Sequence, residues 1–449
     1  MFNQRSVAFW KRDIFYGLIV FVFFMLLGGQ MQVAVLEAKA AEVPEKLIVL
    51  SHRVHQTVST QGEGGNVVAD WIKKHPKVKR VEWLAVSDPS LRLLREASLK
   101  ETDIDVGFML NTQITPALKN LFYCLDDYME LHPVEDFDDI FPGLVNAVTF
   151  DGKLYGLPFR HATSGLHYNE VYFAECGIGW PPRTIEEFIE DARKLTYTRS
   201  GGQKVYGFII PSYRDMHPNV VDLARAWDGD FITLNYEVAC DEYGMVKAVE
   251  TLRMFYEEGV FPEAFPVLSA TDVNTWMQQG RAAMDFGSMG RTKFYGDPEQ
   301  SKFPGKFKAV PIPISEEFEE KYDVAPAKSE FWCMMIPKNS RHKDLAWDFM
   351  RYMLSKEATI RSAINGNGPV RASTYENPEF RAKVPYADAE KSVLKVARVP
   401  LPGFDESARA ADLFRQYVHT AVLGHMTPQQ AMDKLAAEVE ELLKKSGIK

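Results

Sequence analysis

The sequence of 449 residues is poor in cysteine and carries no excess of positive charge. Its four cysteines lie far apart and form no C-x-x-C pair, so their spacing gives no support to a zinc or redox site. They would permit two disulfides in an oxidising compartment, but the apolar surroundings of Cys176 and Cys333 favour unpaired thiols over pairing with Cys124 or Cys240. With 52 basic and 61 acidic residues the net charge is −9, which argues against nucleic acid as a partner, because phosphates require a basic surface.

Long hydrophobic runs are also scarce, and the one strongly apolar stretch lies near the N-terminus. Three basic residues precede an apolar run at residues 15–27, and a small-x-small site follows at residues 38–40, an order typical of a secretory signal peptide. The run is shorter than the ~20 residues that a membrane-spanning helix needs. We therefore expect residues 1–40 to be a signal peptide and the mature protein to lie in the periplasm. No cysteine follows the cleavage site as a lipid anchor would require. Removing four basic and two acidic residues with this segment lowers the net charge from −9 to −11.

No repeat, low-complexity tract or Gly/Ser linker divides the rest of the chain. Roughly 400 mature residues exceed one hydrophobic core, since domains typically have about 50–250 residues. Compact β-rich runs at 46–51, 79–87 and 103–110, with a helical pattern between the first two, predict an α/β protein. We expect two lobes joined by short strands.

Two helix starts can be read from their capping residues. Thr184 and Glu187 have the T-x-x-E spacing of a capping box, and an apolar stripe follows them. Thr427 and Gln430 repeat this spacing, with Pro428 at the first helical position. The apolar stripes behind both starts predict core packing.

Catalytic motifs are weak in this sequence. Ser340 and Lys343 have S-x-x-K spacing but precede an amphipathic run, as a helix cap would. The stretch 287–290 lacks the leading glycine of a nucleophile elbow, and His52-x-x-His55 lacks the glutamate of a metalloprotease helix. No calcium loop is present and no cofactor is indicated. A pair of carboxylates for glycoside hydrolysis is not pointed to, although a chain with this many acids could bring two together.

A knot of polar residues at 160–164 lies between two segments that read as buried. The stretch "DGKLYGLPFRHATSGLHYNE" (151–170) begins with a turn signal and a strand-like run, then places Arg160, His161, Thr163 and Ser164 before the chain becomes apolar again. This pattern is typical either of a surface loop or of a crossing between two lobes that enclose a ligand.

Four segments, in order, resemble the family 1 extracellular solute-binding proteins of ABC importers, of the sugar-binding, maltose-binding-protein-like type. They are "DGKLYGLPFRHATSGLHYNEVYFAECGIGWPPRTIEEFIEDARKLT" (151–196), "MQQGRAAMDFGSMGR" (277–291), "FWCMMIPKNSRHKDLAWDFMRYMLS" (331–355) and "NGNGPVRASTY" (365–375). With the signal peptide they cover nearly the whole chain. The chain departs from the family at Met289, where tryptophan is frequent, and at Glu330-Phe331-Trp332, where a glycine-rich entry is frequent.

The resemblance implies an α/β, two-lobed periplasmic-binding-protein-like (type II) fold with an interlobe ligand cleft and hinge crossings. By analogy, residues 42–160 and 329–360 form the N-terminal lobe, and residues 164–325 and 365–449 form the C-terminal lobe. The segment "FRHATSG" would be the first crossing.

The resemblance and the ends of the predicted strands together give a set of candidate ligand-binding residues. Each has an alternative structural explanation in the core or on the surface, and for Trp227 stacking and core packing are equally favoured. The candidates are His52, Arg53, Asn111, Arg160, His161, Tyr213, Arg214, Trp227, Asp228, Ser288, Arg291, Trp332 and Arg371.

Function follows from the same resemblance as an expectation. The protein would capture a carbohydrate or related polyol and deliver it to the transmembrane permease subunits that work with a cytoplasmic ATPase. It would act as a monomer, without catalysis, metal or cofactor. The number of arginines among the candidates, together with the departures from the family, suggests a carboxylated or phosphorylated solute. A secreted carbohydrate-active enzyme and a binding protein that serves a sensor or chemoreceptor remain alternatives.

Overall fold

The computed structural model describes residues 44–212 and 215–448. The predicted signal peptide therefore lies outside the described residues. Within those two ranges no helix is both long enough and apolar enough to cross a membrane.

The strands, with the bounds that the structure gives them, are β1 (Lys46–Ser51), β2 (Arg80–Ala85), β3 (Val106–Leu110), β4 (Thr149–Phe150), β5 (Lys153–Leu154), β6 (Leu157–Asn169), β7 (Tyr197–Thr198), β8 (Lys204–Ile209), β9 (Ala282–Ser288), β10 (Phe307–Val310) and β11 (Ser329–Met335).

The α-helices are α1 (Arg53–Thr60), α2 (Val67–Lys74), α3 (Pro89–Ala97), α4 (Asp126–Leu131), α5 (Pro142–Asn146), α6 (Glu170–Glu175), α7 (Ile185–Lys194), α8 (His217–Ala224), α9 (Tyr243–Glu257), α10 (Ala270–Gln278), α11 (Arg291–Tyr295), α12 (Lys343–Met353), α13 (Lys356–Ile364), α14 (Pro378–Lys383), α15 (Ala387–Leu394), α16 (Ser407–Val422) and α17 (Pro428–Lys445).

The three β-rich runs near the start of the chain form β1, β2 and β3, as predicted. Strand β1 pairs in parallel with both of the others. Its residues 47–50 are all buried, which explains why this stretch is continuously apolar instead of alternating.

Strand β6 is 13 residues long and connects the two halves of the main sheet. The strand order is β2-β1-β3-β11-β6-β9-β8-β7, with β10 also paired to β6. Residues 157–163 of β6 pair with β11, whereas residues 164–169 pair with β9 and β10. The pairing partners therefore change between Thr163 and Ser164, inside the polar segment that drew attention in the sequence.

Two hydrophobic cores lie on either side of this change. The first core contains buried side chains from residues 47–159 and 331–394, and the second contains buried side chains from residues 166–327 and 393–443. We call the elements that pack around each core the first lobe and the second lobe.

Residues 365–394 pack differently from the expectation. Val370, Tyr375 and Phe380 belong to the first core, although the resemblance placed them in the C-terminal lobe. They lie beside α13, whose buried side chains already belong to the first core. The chain passes to the second lobe only in α15, where Leu394 packs in the first core and Val393 in the second.

The predicted helix caps are present in the structure. Thr427 and Gln430 form a complete capping box at the start of α17. At α7 the Thr184 side chain accepts a hydrogen bond from the backbone of Glu187, but the Glu187 carboxylate accepts from Arg183, one residue before the cap. The Ser340 hydroxyl accepts a hydrogen bond from the backbone N–H of His342, so this serine supports the start of α12.

All four cysteines lie within the described residues and are unpaired. Cys240 and Cys333 are buried, and Cys124 and Cys176 are half-buried. Burial raises the pKa of both buried thiols well above the usual range, which makes them unreactive.

We predict that Gly207→Ala destabilises the protein by about 1–3 kcal/mol, the usual cost of overpacking. A Cβ atom at Gly207 in β8 would overlap the backbone carbonyl of Ala192 in α7 and push the helix from the sheet. Gly179 is the matched control because a Cβ there meets no atom within 4 Å. Thermal unfolding should show a lower melting temperature for Gly207→Ala and no loss for Gly179→Ala. Equal melting temperatures would contradict this packing.

Candidate functional site

The carboxyl ends of the strands from both lobes meet where β6 changes partners. In the first lobe β1, β3 and the first half of β6 run in one direction, so Ser51, Leu110 and Thr163 end at the same edge. In the second lobe β8 and β9 are parallel, and Ser288 at the end of β9 pairs with Ser164. Ligands of open α/β sheets bind outside such carboxyl edges. The crossing in β6 therefore marks the candidate site.

An aromatic and cationic group forms the first lobe's side of the site. His52 caps α1 by accepting a hydrogen bond from Val54, and its ring lies 6.5 Å from that of Trp332 at an angle of 27°. Arg160 lies directly opposite Trp332 in the β6–β11 ladder, so both side chains are on one face of the sheet. Trp332 is half-buried, which leaves part of its ring available to a ligand.

Arg160 is held by the loop that follows α13. Its guanidinium donates to the carbonyl of Gly366 at 3.2 Å and to the side-chain oxygen of Asn367 at 3.4 Å. Gly368 packs so closely on the backbone of His161 that a Cβ atom there would overlap it. Burial lowers the pKa of Arg160, as expected for a cation with few compensating charges.

His161 is buried and belongs to a hydrogen-bonded network instead of facing the cleft. Its Nε2 lies 2.9 Å from the Tyr375 hydroxyl, which donates to the Glu390 carboxylate at 2.8 Å. Its Nδ1 lies 3.0 Å from the hydroxyl of Thr163, which donates to Ser329. Burial and the charge of Arg160 lower the pKa of His161 to about 3, so the ring is neutral. The network joins β6, β11 and α15, three segments that pass between the lobes or next to a crossing.

Asn111 is also used by the protein itself. It is buried, and its side-chain oxygen accepts a hydrogen bond from the backbone of Phe331 at 3.1 Å. Its amide group is 3.5 Å from the carbonyl of Ser329. Asn111 thus fastens the end of β3 to the start of β11, at the site's edge.

Ser288 and Arg291 form the second lobe's side of the site, and both are half-buried. The Arg291 side chain folds back over β9, where its Cδ and Nη1 lie 3.3 Å from the position that a Cβ of Gly287 would take. Below it, the buried Asp285 accepts a hydrogen bond from Tyr295 at 2.7 Å. Met289, the departure from the family pattern, is buried in the second core and therefore does not line this surface.

Four other candidates lie away from the site. Trp227 packs in the second core, the alternative that had been weighed against stacking. Asp228 is bound to Arg398 at 2.6 Å and to Lys321, so it anchors the last crossing. Arg53 is exposed on α1.

Arg371 requires a correction, because it lies inside the first lobe and not at a crossing. Its side chain is fully buried and donates to the carbonyl of Leu354 at 2.7 Å and to that of Asp136 at 2.8 Å. It also donates to the carbonyl of Glu135 and to the carboxylate of Asp139. These bonds use its donors, so Arg371 is a structural residue. Tyr213 and Arg214 lie outside the described residues.

Three residues near the crossing were missing from the candidates. Glu330 follows the crossing in β11 and shares its face with Trp332, two residues on. Tyr386 lies close to Gly290, where a Cβ atom would be 3.6 Å from the tyrosine hydroxyl. Asp222 is buried and accepts from the backbone of Lys328 at 2.6 Å. Only Glu330 had a signal in the sequence, as part of the departure from the family.

A second recess, on the surface of the second lobe, has less chemical content. It is lined by Trp180, Pro182, Ile312 and Tyr322 among others. It faces solvent and belongs to one lobe, and few hydrogen-bonding side chains converge on it. Polar groups from two lobes converge only at the β6 crossing among the recesses described, so we place the site there.

The arrangement offers binding groups instead of reactive ones. Within the described residues no cluster of three or more His, Cys, Asp or Glu side chains could hold a metal ion. A half-buried indole, two guanidinium groups and a hydroxyl can stack on a ring and donate hydrogen bonds to oxygen atoms.

The sequence profile of the bacterial extracellular solute-binding protein family matches residues 73–387. The chain belongs to this family. The resemblance noted in the sequence is thereby confirmed, and the two-lobed α/β architecture is the type II fold of periplasmic binding proteins.

Three known proteins illustrate the range of this family. "Probable amino-acid ABC transporter periplasmic-binding protein y4oP" of Sinorhizobium fredii is 23% identical over 306 residues, 66% of each chain. The solved structure of the sugar-binding protein MalE from Xanthomonas citri has a TM-score of 0.73 at 21% identity, over 89% of this chain and 98% of that one. An ABC transporter solute-binding protein from Agrobacterium vitis with bound D-mannitol has a TM-score of 0.66 at 19% identity, over 90% and 99% of the two chains.

The buried network around Glu390 has a consequence for stability. Burial raises the pKa of Glu390 from 4.5 to about 7, although the bond from Tyr375 and the charge of Arg160 oppose this. The folded protein therefore binds this proton more tightly than the unfolded chain does. The group's stabilising contribution is complete below pH 4.5 and is lost as the pH rises to about 7.

We predict that Glu390→Gln, which keeps a hydrogen-bonding partner for Tyr375 but cannot ionise, gains stability relative to wild type as the pH rises from about 5 to about 8. Comparison with wild type at each pH removes the opposite contributions of His161 and His217, whose pKa values burial lowers to about 3. Glu376→Gln is the control, because this carboxylate is exposed and ionised throughout that range. Denaturant unfolding at each pH measures the difference. A constant difference for Glu390→Gln would contradict the raised pKa.

Proposed function

We propose that this protein is the periplasmic capture subunit of an ABC importer for a sugar or a related polyol. The observation that carries the proposal is the meeting of aromatic and hydrogen-bonding side chains from two lobes at the β6 crossing. Family membership supports the capture of a solute outside the cytoplasm. Structural neighbours described as a sugar-binding protein and as a protein with bound D-mannitol support the class of solute.

The chemistry of the site suits a polyhydroxylated solute. A sugar ring has a C–H face that stacks on an aromatic ring and hydroxyl groups at its rim that require hydrogen-bonding partners. Trp332 would supply the stacking surface, and Arg160, Ser288 and Arg291 would supply the hydrogen bonds. Micromolar affinity needs only about −8 kcal/mol, which a few charge-assisted hydrogen bonds and one stacked ring can provide.

Closure of the two lobes would then enclose the solute. The crossings are short, and the strand β6 continues without a break through the first of them. Hinge motion therefore requires only small changes of backbone angles near residues 163–164, as in other two-lobed binding proteins. The closed form would be presented to the transmembrane permease subunits, whose cytoplasmic ATPase drives transport. The protein is proposed to act as a monomer after removal of residues 1–40.

The proposed role includes no chemical reaction, and this distinguishes it from a secreted carbohydrate-active enzyme. Titration calorimetry with a panel of sugars, polyols and amino acids, followed by mass spectrometry of the recovered ligand, separates the two. Capture predicts saturable binding of a sugar or polyol that is recovered unchanged. Conversion of a sugar would support the enzyme, and binding of amino acids alone would contradict the proposed solute class.

We predict that Trp332→Ala weakens binding of the best sugar or polyol in this panel by roughly tenfold or more. The lost contact is the buried face of an indole, worth about 1.5–3 kcal/mol when fully covered. Trp180→Ala is the matched control, because Trp180 is 78% exposed on the second lobe and remote from the crossing. Both variants are first checked for wild-type circular dichroism. Unchanged affinity in a folded Trp332→Ala variant would exclude Trp332 from the site.

A further inference from the structure

Arg160 and Arg291 are two cations at the site without a carboxylate partner. Both are half-buried, and no carboxylate oxygen among the described residues lies within 4.0 Å of either guanidinium. Arg160 donates only to a carbonyl and to an amide oxygen, which are neutral groups. The other arginines considered as candidates are not available: Arg371 is fully bonded inside the first lobe, and Arg53 is exposed on α1.

The acidic groups near these arginines are committed to other partners. Glu330 pairs with Lys328 at 3.6 Å, and Glu390 accepts its hydrogen bond from Tyr375. Asp285 accepts from the Tyr295 hydroxyl at 2.7 Å and lies 3.4 Å from the ring of the buried His167.

The same neighbours set the electrostatics of Arg291. Burial acts to lower its pKa, but Tyr295 and two nearby carboxylates outweigh burial, and the pKa is raised overall. The two carboxylates are Asp285 and Glu330. They keep Arg291 protonated without forming a direct ion pair with it.

Closure around a neutral solute would remove water from two guanidinium groups and give them no counter-charge. Burial of an unpaired charge is costly, and proteins compensate it with an opposite charge or avoid it. We propose that the solute carries an anionic group, a carboxylate or a phosphate on a sugar or polyol, which Arg160 and Arg291 bind from opposite lobes. This inference rests on the proposed function, since it names the class of sugar or polyol that the same site would take.

The spacing of the two arginines fits a small solute. Arg160 precedes Ser164 by four residues on β6, which corresponds to about 13 Å of strand, and Ser164 pairs with Ser288, three residues before Arg291. Two long side chains that extend toward each other from these positions leave room between them for one sugar. Trp332, opposite Arg160 in the ladder, would contact the ring, and a guanidinium fork can hold a carboxylate or phosphate by two parallel hydrogen bonds.

The test compares neutral solutes with their anionic counterparts on the purified protein. Titration calorimetry is carried out with glucose and glucuronate, galactose and galacturonate, and mannitol and mannitol 1-phosphate. The proposal predicts that in at least one pair the anionic member binds at least tenfold more tightly, with the advantage falling as salt is added. The carboxylate and phosphate pairs show which anion is preferred.

Variants then assign the effect to the two arginines. Arg160→Gln and Arg291→Gln should each weaken the anionic ligand by at least tenfold and change the affinity for its neutral counterpart by less than about threefold. Arg253→Gln is the matched control, because Arg253 is bound to Glu257 on the remote helix α9, and it should change neither affinity. Thermal unfolding checks that each variant is folded, and Arg160→Lys and Arg291→Lys test whether the fork is needed in addition to the charge.

The outcomes separate this inference from the proposed function. If neutral members bind as tightly as anionic ones, or if the glutamine variants weaken both equally, the anionic solute is excluded while sugar capture stands. If no sugar, polyol or derivative binds to the folded protein, both are overturned.

Discussion

The continuity of strand β6 across the junction between the lobes is the constraint on which the rest of this structure depends. Residues 157–163 are hydrogen-bonded into the first lobe's sheet and residues 164–169 into the second lobe's sheet. Because neighbouring strands run parallel to the two halves in the appropriate sense, the carboxyl edges of both sheets face the same junction. The position of the binding groups follows from this topology, since strand ends and the loops after them are where side chains can leave the sheet toward a ligand.

Buried polar groups secure the other segments at the junction. Asp222 in the second lobe accepts a hydrogen bond from the backbone of Lys328, and Arg225 joins Asp230 at 3.0 Å while also donating to the carbonyl of Arg398 at 3.2 Å. Such groups are costly to leave unpaired, so they hold each crossing in one geometry relative to its lobe. Each lobe can then move as a rigid unit, with the change of angle confined to a few residues.

Most of the fold could be predicted from the sequence, because its signals are local. The buried run that became β1 and the capping residue Thr427 act within a few positions of the chain, and the structure contains both elements. The site was harder to predict, because whether an arginine faces solvent, ligand or core depends on distant segments. Arg371 and Arg160 look alike in sequence, yet only Arg371 is enclosed by carbonyls from residues 135–136 and 354. His161 was likewise expected in the cleft, but its partner Tyr375 comes from a segment 214 residues away.

The central claim is that two rigid lobes close around one solute, and small-angle X-ray scattering with and without a saturating ligand tests it most directly. The account predicts a smaller radius of gyration and a shorter maximum dimension in the saturated protein, with unchanged secondary structure. The ligand is the tightest-binding sugar, polyol or derivative found by calorimetry. Identical scattering curves at full saturation would contradict closure and would leave β6 as a fixed connection instead of a hinge.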